Sequence, residues 1–202
     1  MISKLIKIIF FKDLSKRMLE TSYSQTPVKF KMWFYQRVLG FNKEAYWPMH
    51  FTSIVTGVKN IYAGIDTSPG YMPGCYIQGI GKIYIGDYSQ ISSNVGIITA
   101  NHDIYDTRKH EVKSVVIGKY CWIGMNSMIL PGVELGDFTI VGAGSVVTKS
   151  FSEGYCIIAG NPARVIKKID KEKCKPFKND YEYHGYLNTH EFNEYKDKYL
   201  NV

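Results

Sequence analysis

Aliphatic residues recur at every sixth position in the second half of the chain. The series from residue 117 is Ile117, Ile123, Ile129, Leu135, Val141 and Val147. Neither the helical period of 3.6 nor the strand period of 2 gives such a spacing. The pattern instead predicts short flat strands joined by tight corners, with the aliphatic side chains in a shared interior. One hexad buries too little surface alone, so stacked coils must supply the core.

The positions around each aliphatic residue support this prediction. Glycine follows it in four hexads, at Gly118, Gly124, Gly136 and Gly142, and small or polar side chains fill most fifth positions (Cys121, Ser127, Thr139, Ser145). We expect these glycines to relax turns at positive φ. The same phase continues upstream at Ile85, Ile91 and Ile97, and more loosely at Ile65, Tyr71 and Ile77.

The period is interrupted once, between Ile97 and Ile117. The polar residues of the inserted segment are Asn101, His102, Asp103, Tyr105, Asp106, Arg108, Lys109, His110 and Glu111. A polar excursion from a rigid scaffold is a usual place for binding and catalytic groups. Histidine, with an unperturbed pKa of about 6.5, suits general base catalysis. His102 stands where the segment leaves the coil, whereas His110 is expected in mid-loop, where little holds it. Cys121 has no neighbouring base and is a weaker candidate nucleophile.

The stretch from Ile117 to Ile169 reads IGKYCWIGMNSMILPGVELGDFTIVGAGSVVTKS and continues to AGNPARVIKKI. With these motifs the chain resembles the hexapeptide-repeat acyltransferases over about residues 54–169, in particular the maltose, galactoside, nodulation-factor and polysaccharide acetyltransferases. The resemblance implies a mainly β fold, a left-handed parallel β-helix with a helical N-terminal segment and a short helical C-terminal tail. The expected division is 1–50, 51–160 with an active-site loop at 98–116, and 161–202.

The resemblance also implies a chemistry. Acetyl-CoA would donate an acetyl group to a sugar hydroxyl of a bacterial surface glycan or related saccharide, with His102 as general base in a similar Asn-His position. N-acetylation of a nucleotide-linked amino sugar and a non-catalytic scaffold remain as alternatives. A zinc hydratase on the same solenoid would need three converging histidines. His102 and His110 share one segment and the other histidines lie outside the repeats, so no metal is expected.

Site residues are implied position by position. Matches to coenzyme-binding positions are Trp122, Gly124, Ala143, Thr148, Arg164 and Lys167. Of these, Arg164 and Lys167 would contact the phosphates of coenzyme A. A backbone N–H near Gly124 or Met125 would donate to the oxyanion. Expected acceptor contacts are Asp66, Tyr71, Gln78 and Asn101. The family often places an acidic residue eight positions before the Asp of Ile-Gly-Asp, where this chain has Gly79. This departure disfavours a maltose- or galactoside-like acceptor and favours a larger or membrane-linked glycan.

Composition limits the class of protein and its partners. The 202 residues carry a formal charge of +7 with 45% hydrophobic side chains, which excludes a largely disordered chain. The four cysteines are widely spaced and are expected as free thiols, with Cys121 and Cys156 in the core. No apolar run is long enough to span a membrane. Scattered basic residues without a known motif argue against nucleic acid as a partner.

The first residues form a separate feature. Ile2, Leu5, Ile6 and Ile9 repeat at helical spacing among lysines, which predicts an amphipathic basic helix and no secretory signal. Such a helix either packs on its own protein or contacts an anionic membrane. The resemblance implies a homotrimer with active sites between subunits. The expected location is the cytoplasm, with peripheral contact at the inner membrane face as an alternative.

Overall fold

The computed structural model describes residues 12–202. Residues 12–20 form helix α1, and helix α2 (Phe30–Trp33) continues as a π-helical turn over Phe34–Val38. Helix α3 is Thr189–Tyr199, and 3-10 turns occupy Val58–Asn60 and Lys171–Lys173. The strands are β1 (Ile54–Thr56), β2 (Ile61–Ala63), β3 (Tyr76–Gln78), β4 (Ile83–Ile85), β5 (Gln90–Ile91), β6 (Gly96–Ile98), β7 (Ala100–His102), β8 (His110–Val112), β9 (Val115–Ile117), β10 (Trp122–Ile123), β11 (Met128–Ile129), β12 (Glu134–Leu135), β13 (Thr139–Val141), β14 (Val146–Val147), β15 (Cys156–Gly160), β16 (Ala163–Lys168), β17 (Tyr183–His184) and β18 (Leu187–Asn188).

Three parallel sheets form the faces of a triangular solenoid. Face A has the strand order β1-β3-β6-β11-β14, face B the order β2-β4-β9-β12, and face C the order β5-β10-β13-β15. Successive strands visit the three faces in turn, so each coil adds about one strand to each sheet. Strand β16 closes face C by pairing antiparallel with β15. The mainly β, parallel architecture is therefore confirmed.

The six-residue series forms the interior, as predicted. All six aliphatic side chains from Ile117 to Val147 are at most 1% exposed. Successive members fall on faces B, C and A in turn, so the period equals one side of the triangle. The looser upstream phase is wrong at Ile65 and Tyr71, which are only half-buried. There the interior is filled by residues such as Ile61 and Ile83.

The hexad glycines are needed for close stacking and not, as expected, for positive φ. A Cβ on Gly86 would lie 2.7 Å from the carbonyl carbon of Gly118, and one on Gly118 would lie 2.6 Å from the backbone N of Asp137. Neither glycine has a positive φ; the left-handed conformation falls instead on corner residues such as Tyr88 (φ 60°) and Tyr120 (φ 55°). Successive coils therefore approach too closely for any side chain at the glycine positions.

Four aromatic rings stack along the edge between faces B and C. Tyr88 and Tyr120 have ring centroids 5.3 Å apart, Tyr120 and Phe138 4.8 Å, and Phe138 and Tyr155 5.3 Å. All four residues have a positive φ, which is unfavourable for bulky side chains. Stacking between the rings helps to offset this strain.

The C-terminal tail runs back along this aromatic edge to the first coil. The Tyr120 hydroxyl donates to the Phe177 carbonyl at 2.8 Å, and the ring of Phe177 lies 4.9 Å from that of Tyr88. Beyond it, helix α3 places Phe192 against Tyr46, with ring centroids 5.3 Å apart. The tail and the N-terminal segment therefore cap the same end of the solenoid together.

The predicted amphipathic helix over residues 2–9 lies outside the described residues. Helix α1, which begins the described part of the chain, buries Leu14 in a small cluster with Val28 and Tyr186, and Arg17 forms an ion pair with Glu191 at 3.0 Å. From residue 12 onward, no helix combines the length and apolarity that crossing a bilayer requires. All four cysteines are free, and Cys121 and Cys156 are buried as predicted.

Candidate active site

The inserted segment is a β-hairpin at the edge between faces A and B. Strands β7 and β8 pair antiparallel with the register Ala100↔Val112, Asn101↔Glu111 and His102↔His110. The hairpin leaves the third coil after β6 and returns to it at β9. Its side chains are exposed on both strands apart from Ala100. The segment expected as an active-site loop therefore has regular backbone pairing that fixes its side chains.

A main-chain carbonyl orients the His102 ring. The Nδ1 atom lies 2.5 Å from the carbonyl oxygen of Thr107, in the turn of the same hairpin. A carbonyl oxygen can only accept, so Nδ1 carries the proton in this contact. In the neutral ring, Nε2 is then unprotonated and available to accept a proton.

The adjacent carboxylate of Asp103 shapes the turn. Its Oδ1 accepts hydrogen bonds from the backbone N–H groups of Tyr105 and Asp106, both at 2.8 Å. Asp106 in turn pairs with Arg108 at 2.8 Å. These contacts define the path of the chain to Thr107, so Asp103 acts on the ring through the turn.

His110 lies directly opposite His102. The two ring centroids are 4.5 Å apart. The expectation that His110 sits in mid-loop with little to hold it is wrong, because strand pairing places it beside the candidate base. A sequence separation of eight residues gives no sign of this contact unless the hairpin register is known.

Thr99 anchors the base of the hairpin. Its fully buried hydroxyl donates to the Gln78 carbonyl at 2.7 Å and accepts from the Gly81 N–H at 2.8 Å. The Lys113 N–H donates to the Thr99 carbonyl at 2.8 Å, which ties the returning strand to the outgoing one. Thr99 and Gly81 were not singled out in the sequence, because only the stacked coil reveals their contacts.

All the residues matched to coenzyme positions except Gly124 are exposed, and they are spread over the solenoid. Trp122 is 54% exposed on face C. Ala143 is exposed at the corner after β13, and Thr148 is exposed just after β14, at the same A–B edge as the hairpin but two coils further on. Thus Thr148 shares the edge of His102 within one chain, whereas Trp122 and Ala143 lie elsewhere on the triangle.

Gly124 lets two coils stack closely and pairs with the next coil through its backbone. Its N–H donates to the Val141 carbonyl at 2.8 Å, and a Cβ would lie 2.7 Å from the Ala143 backbone N. The N–H of Gly124 is therefore engaged, which leaves Met125 as the oxyanion-donor candidate of the two positions considered. The backbone at Ala143 leaves no room for a side chain at position 124.

Two basic side chains lie on the final strand. Arg164 and Lys167, on β16, are exposed at the outer edge of face C. Lys168 is paired with Glu153 at 3.1 Å. Exposed guanidinium and ammonium groups beside Trp122's sheet suit a phosphate-bearing ligand.

The expected acceptor residues do not form one group. Asp66 is 4% exposed, and its carboxylate accepts from the backbone N–H groups of Gln25 and Thr26, both at 2.9 Å, and from the Asn179 side chain at 2.8 Å. This carboxylate ties both terminal segments to the first coil, which favours a structural role over the predicted contact with an acceptor.

The other three residues have different surroundings. The Tyr71 hydroxyl donates to the Pro27 carbonyl at 3.1 Å, and burial raises its pKa to about 12. Gln78 lies under the hairpin, where its Oε1 accepts from the Ala100 N–H at 3.2 Å. Asn101 is exposed on β7 beside His102. Asn101 thus precedes the candidate base on its strand, Gln78 contacts the start of that strand at Ala100, and Tyr71 supports the N-terminal segment.

Other chemistries find less support. Burial raises the pKa of the Cys121 thiol to about 12, which opposes a thiolate nucleophile at neutral pH. Across residues 12–202, no group of three or more potential ligands is arranged to hold a metal ion. Two clefts of about 500 and 490 Å³ lie between α1 and the C-terminal segment, and His102 lines neither.

Comparison with known proteins shows similarity to hexapeptide-repeat transferases in sequence motif and in fold. The family model "Bacterial transferase hexapeptide (six repeats)" matches residues 114–149. The crystal structure of a maltose O-acetyltransferase from Clostridium difficile 630 is 28% identical, with a TM-score of 0.53 over 78% of this chain and 89% of that chain. A galactoside acetyltransferase in complex with coenzyme A has a TM-score of 0.61 at 23% identity, over 84% and 89% of the two chains. The fold is thus the left-handed parallel β-helix that the sequence resemblance implied.

A curated relative is similar to this chain over part of its length. The Escherichia coli K12 protein "Putative lipopolysaccharide biosynthesis O-acetyl transferase WbbJ" is 37% identical over 110 residues, covering 48% of this chain and 56% of the relative. The chain spans about half the length of the curated relatives it matches. Its repeat and its fold are similar to those of the hexapeptide-repeat transferases.

Proposed function

We propose that this protein transfers an acetyl group from acetyl-CoA to a hydroxyl of a saccharide. The observation that carries the proposal is the His102–Thr107 contact, because it presents an unprotonated Nε2 on a hairpin fixed to a rigid solenoid. The relative named as an O-acetyl transferase supports transfer to oxygen.

In the proposed reaction, His102 Nε2 accepts the proton of the acceptor hydroxyl as its oxygen attacks the thioester carbonyl. The tetrahedral oxyanion would receive a hydrogen bond from a backbone donor such as the Met125 N–H. Collapse breaks the C–S bond, and imidazolium returns the proton to the departing thiolate. General base catalysis contributes about 10² to 10⁴-fold, and positioning supplies much of the remainder.

The residues present suit coenzyme A. Trp122 offers an exposed ring, the small and exposed Ala143 allows close approach of a thin pantetheine arm, and Arg164 and Lys167 offer positive charge for phosphates. Acetyl-CoA supplies an activated thioester when bound. We place the reaction in the cytoplasm, as the resemblance to the bacterial acetyltransferases implies.

We further propose that each complete site forms between two copies in a homotrimer. His102 projects from the A–B edge, whereas Trp122 lies on face C and Ala143 at the corner that follows it. One triangular chain presents these groups in different directions. A hairpin reaching face C of the next copy would bring them together.

The proposed acceptor is a bacterial surface glycan or a precursor of one. The lipopolysaccharide-biosynthesis name of the WbbJ relative supports this substrate class. Gly79 supports it too, since a carboxylate expected for maltose- or galactoside-like acceptors is missing from that position.

Thiol release from acetyl-CoA with a panel of sugars, nucleotide-linked sugars and short glycans tests the proposal, with mass spectrometry and NMR locating the acetyl group. We expect acceptor-dependent release that falls by at least about 100-fold in His102→Ala. Undiminished release in a folded His102→Ala protein would remove His102 as the base. Failure to bind acetyl-CoA at all would favour the scaffold alternative.

Mixed oligomers test the shared site. Co-expressed His102→Ala and Trp122→Ala chains should recover activity that neither variant has alone, because some sites then combine two intact halves. No recovery in verified mixed oligomers would place the complete site within one chain.

A further inference from the structure

A set of large apolar side chains is exposed at the N-terminal end of the solenoid, within residues 30–41. We call it the apolar patch; its members and exposed fractions are Phe30 (48%), Phe34 (36%), Val38 (56%), Leu39 (51%) and Phe41 (46%). Single exposed apolar residues are common, whereas several within one short segment indicate an interaction surface.

Ring contacts show that the patch is continuous. The Phe34 centroid lies 6.2 Å from both Phe30 and Tyr35, and the Tyr35 ring lies 6.1 Å from Phe41 and 4.6 Å from Phe51. The segment thus presents one aromatic surface with Val38 and Leu39 on the same turn of chain.

The patch is held rigidly from beneath by Gln36, which is 1% exposed. Its Nε2 donates to the Trp47 carbonyl at 2.9 Å, while its Oε1 accepts from the Met49 N–H at 3.1 Å and the Tyr186 hydroxyl at 2.9 Å. Because buried bonds fix this segment, the outward display of its apolar side chains is part of the folded structure.

The same segment is strongly basic. Residues 29–43 contain Lys29, Lys31, Arg37 and Lys43 and no acidic residue. The three lysines are exposed. Lys29 and Lys31 flank Phe30 along the chain, and Lys43 follows Phe41 by two residues. Apolar rings and ammonium groups therefore share one surface.

We infer that the apolar patch and its lysines dock the protein on an anionic lipid surface. Aromatic and aliphatic side chains would enter the boundary between headgroups and acyl chains, and the lysines would contact the lipid phosphates. A second copy of the chain fits less well, because it would bring lysines together and because lysine is depleted in protein interfaces. This inference does not depend on the acetyl-transfer proposal.

The charge requirement is tested by sedimentation of the full chain with vesicles of phosphatidylcholine alone or with phosphatidylglycerol. We expect binding only to the anionic vesicles, weakening at high salt. Lys31→Glu/Lys43→Glu should reduce binding by more than about 25-fold, since one basic residue near an anionic surface contributes a factor of about five. Lys175→Glu/Lys178→Glu, with the same change in net charge elsewhere, should retain most of the binding.

The apolar requirement is tested with Val38→Ser/Leu39→Ser, two of the most exposed positions, after circular dichroism verifies the fold. We expect at least a tenfold loss of vesicle binding with the oligomeric state unchanged. Brominated lipids should quench tryptophan fluorescence, and Trp33→Phe should remove most of that quenching, because Trp33 lies 5.8 Å from Phe30 by ring centroids.

Three results would overturn the inference. One is equal binding to neutral and anionic vesicles, and another is dissociation of the oligomer in Val38→Ser/Leu39→Ser, which would make the patch an interface between copies. The third is unchanged binding in all patch variants with loss in Ile6→Glu/Ile9→Glu, which would assign membrane contact to the extreme N-terminus alone.

Discussion

The Nδ1 atom of His102 faces the Thr107 carbonyl oxygen at 2.5 Å, five residues further along the same hairpin. This contact fixes the proton on one ring nitrogen without a carboxylate partner. The neighbouring Asp103 side chain bonds instead to the turn backbone. The tautomer and orientation of the His102 ring therefore depend on the shape of the hairpin turn.

Replacement of His110 distinguishes the roles of the two hairpin histidines. His110 contacts the His102 ring at a centroid distance of 4.5 Å but has no assigned proton-transfer role. We expect His110→Ala to lower kcat less than tenfold, against at least about 100-fold for His102→Ala. Thiol release measured on both variants decides this; equal losses would show that the two rings act as one unit.

Replacement of Asp103 tests how the turn positions His102. Asp103→Ala removes the acceptor for two backbone N–H groups and should lower kcat about tenfold with little change in the KM for acetyl-CoA. Asp103→Asn keeps an acceptor oxygen and should restore most of the activity. The pH profile of kcat distinguishes a role in positioning from proton transfer: loss of its basic limb in Asp103→Asn would make Asp103 a direct participant.

Asp66 is expected to stabilise the fold and not to bind the acceptor. Asp66→Ala leaves the Gln25, Thr26 and Asn179 donors without their buried acceptor, which should lower the free energy of unfolding by about 3 kcal/mol. Denaturant unfolding measures this loss, with Asp66→Asn as the matched variant. A raised acceptor KM with unchanged stability would restore Asp66 to the acceptor site.

His184 should make stability depend on pH. Burial lowers the pKa of its imidazole, which lies against Phe192 at a centroid distance of 3.7 Å while Nδ1 contacts the Ala63 carbonyl at 3.0 Å. Below a pH of about 6.5 the unfolded chain binds a proton that the folded chain resists, so stability falls as the pH falls. One such proton changes the unfolding free energy by at most about 1.4 kcal/mol per pH unit.

Denaturant unfolding from pH 7.5 to 5 tests this sign. His184→Phe keeps a ring against Phe192 and removes the titration, so its stability should fall less steeply with acid than that of the wild type. His50, whose pKa is also lowered by burial, is unchanged in both proteins and serves as the shared background. Parallel profiles would show that His184 is protonated in the folded state without cost.

The regular coils were predictable because the six-residue period equals one side of the triangle. Ile117 to Val147 follow the prediction at every member, whereas Ile65 and Tyr71 do not, since the first coils contain irregular connections and terminal segments that pack on them. The pattern predicted the glycine positions, but it did not show why glycine is needed there. Only stacked coils show that a Cβ at Gly118 would meet the next turn of chain.

The candidate base was also predictable, since His102 stands at the only interruption of the regular period between Ile85 and Val147. Its partner was not, because Thr107 contributes a carbonyl that every residue possesses. The hydrogen bonds of Asp66 could not be predicted either, since its donors lie at least forty residues away on one side and more than one hundred on the other.

The sequence by itself determined the solenoid, its interior and the position of the insertion that carries the candidate base, because a repeat encodes local geometry that each coil passes to the next. Tertiary structure decided the tautomer of His102, its pairing with His110, the structural role of Asp66 and the return of the tail to the first coil. These features arise from contacts between segments that are distant in sequence, or from contacts made by backbone atoms. Neither kind of contact leaves a periodic pattern in the sequence.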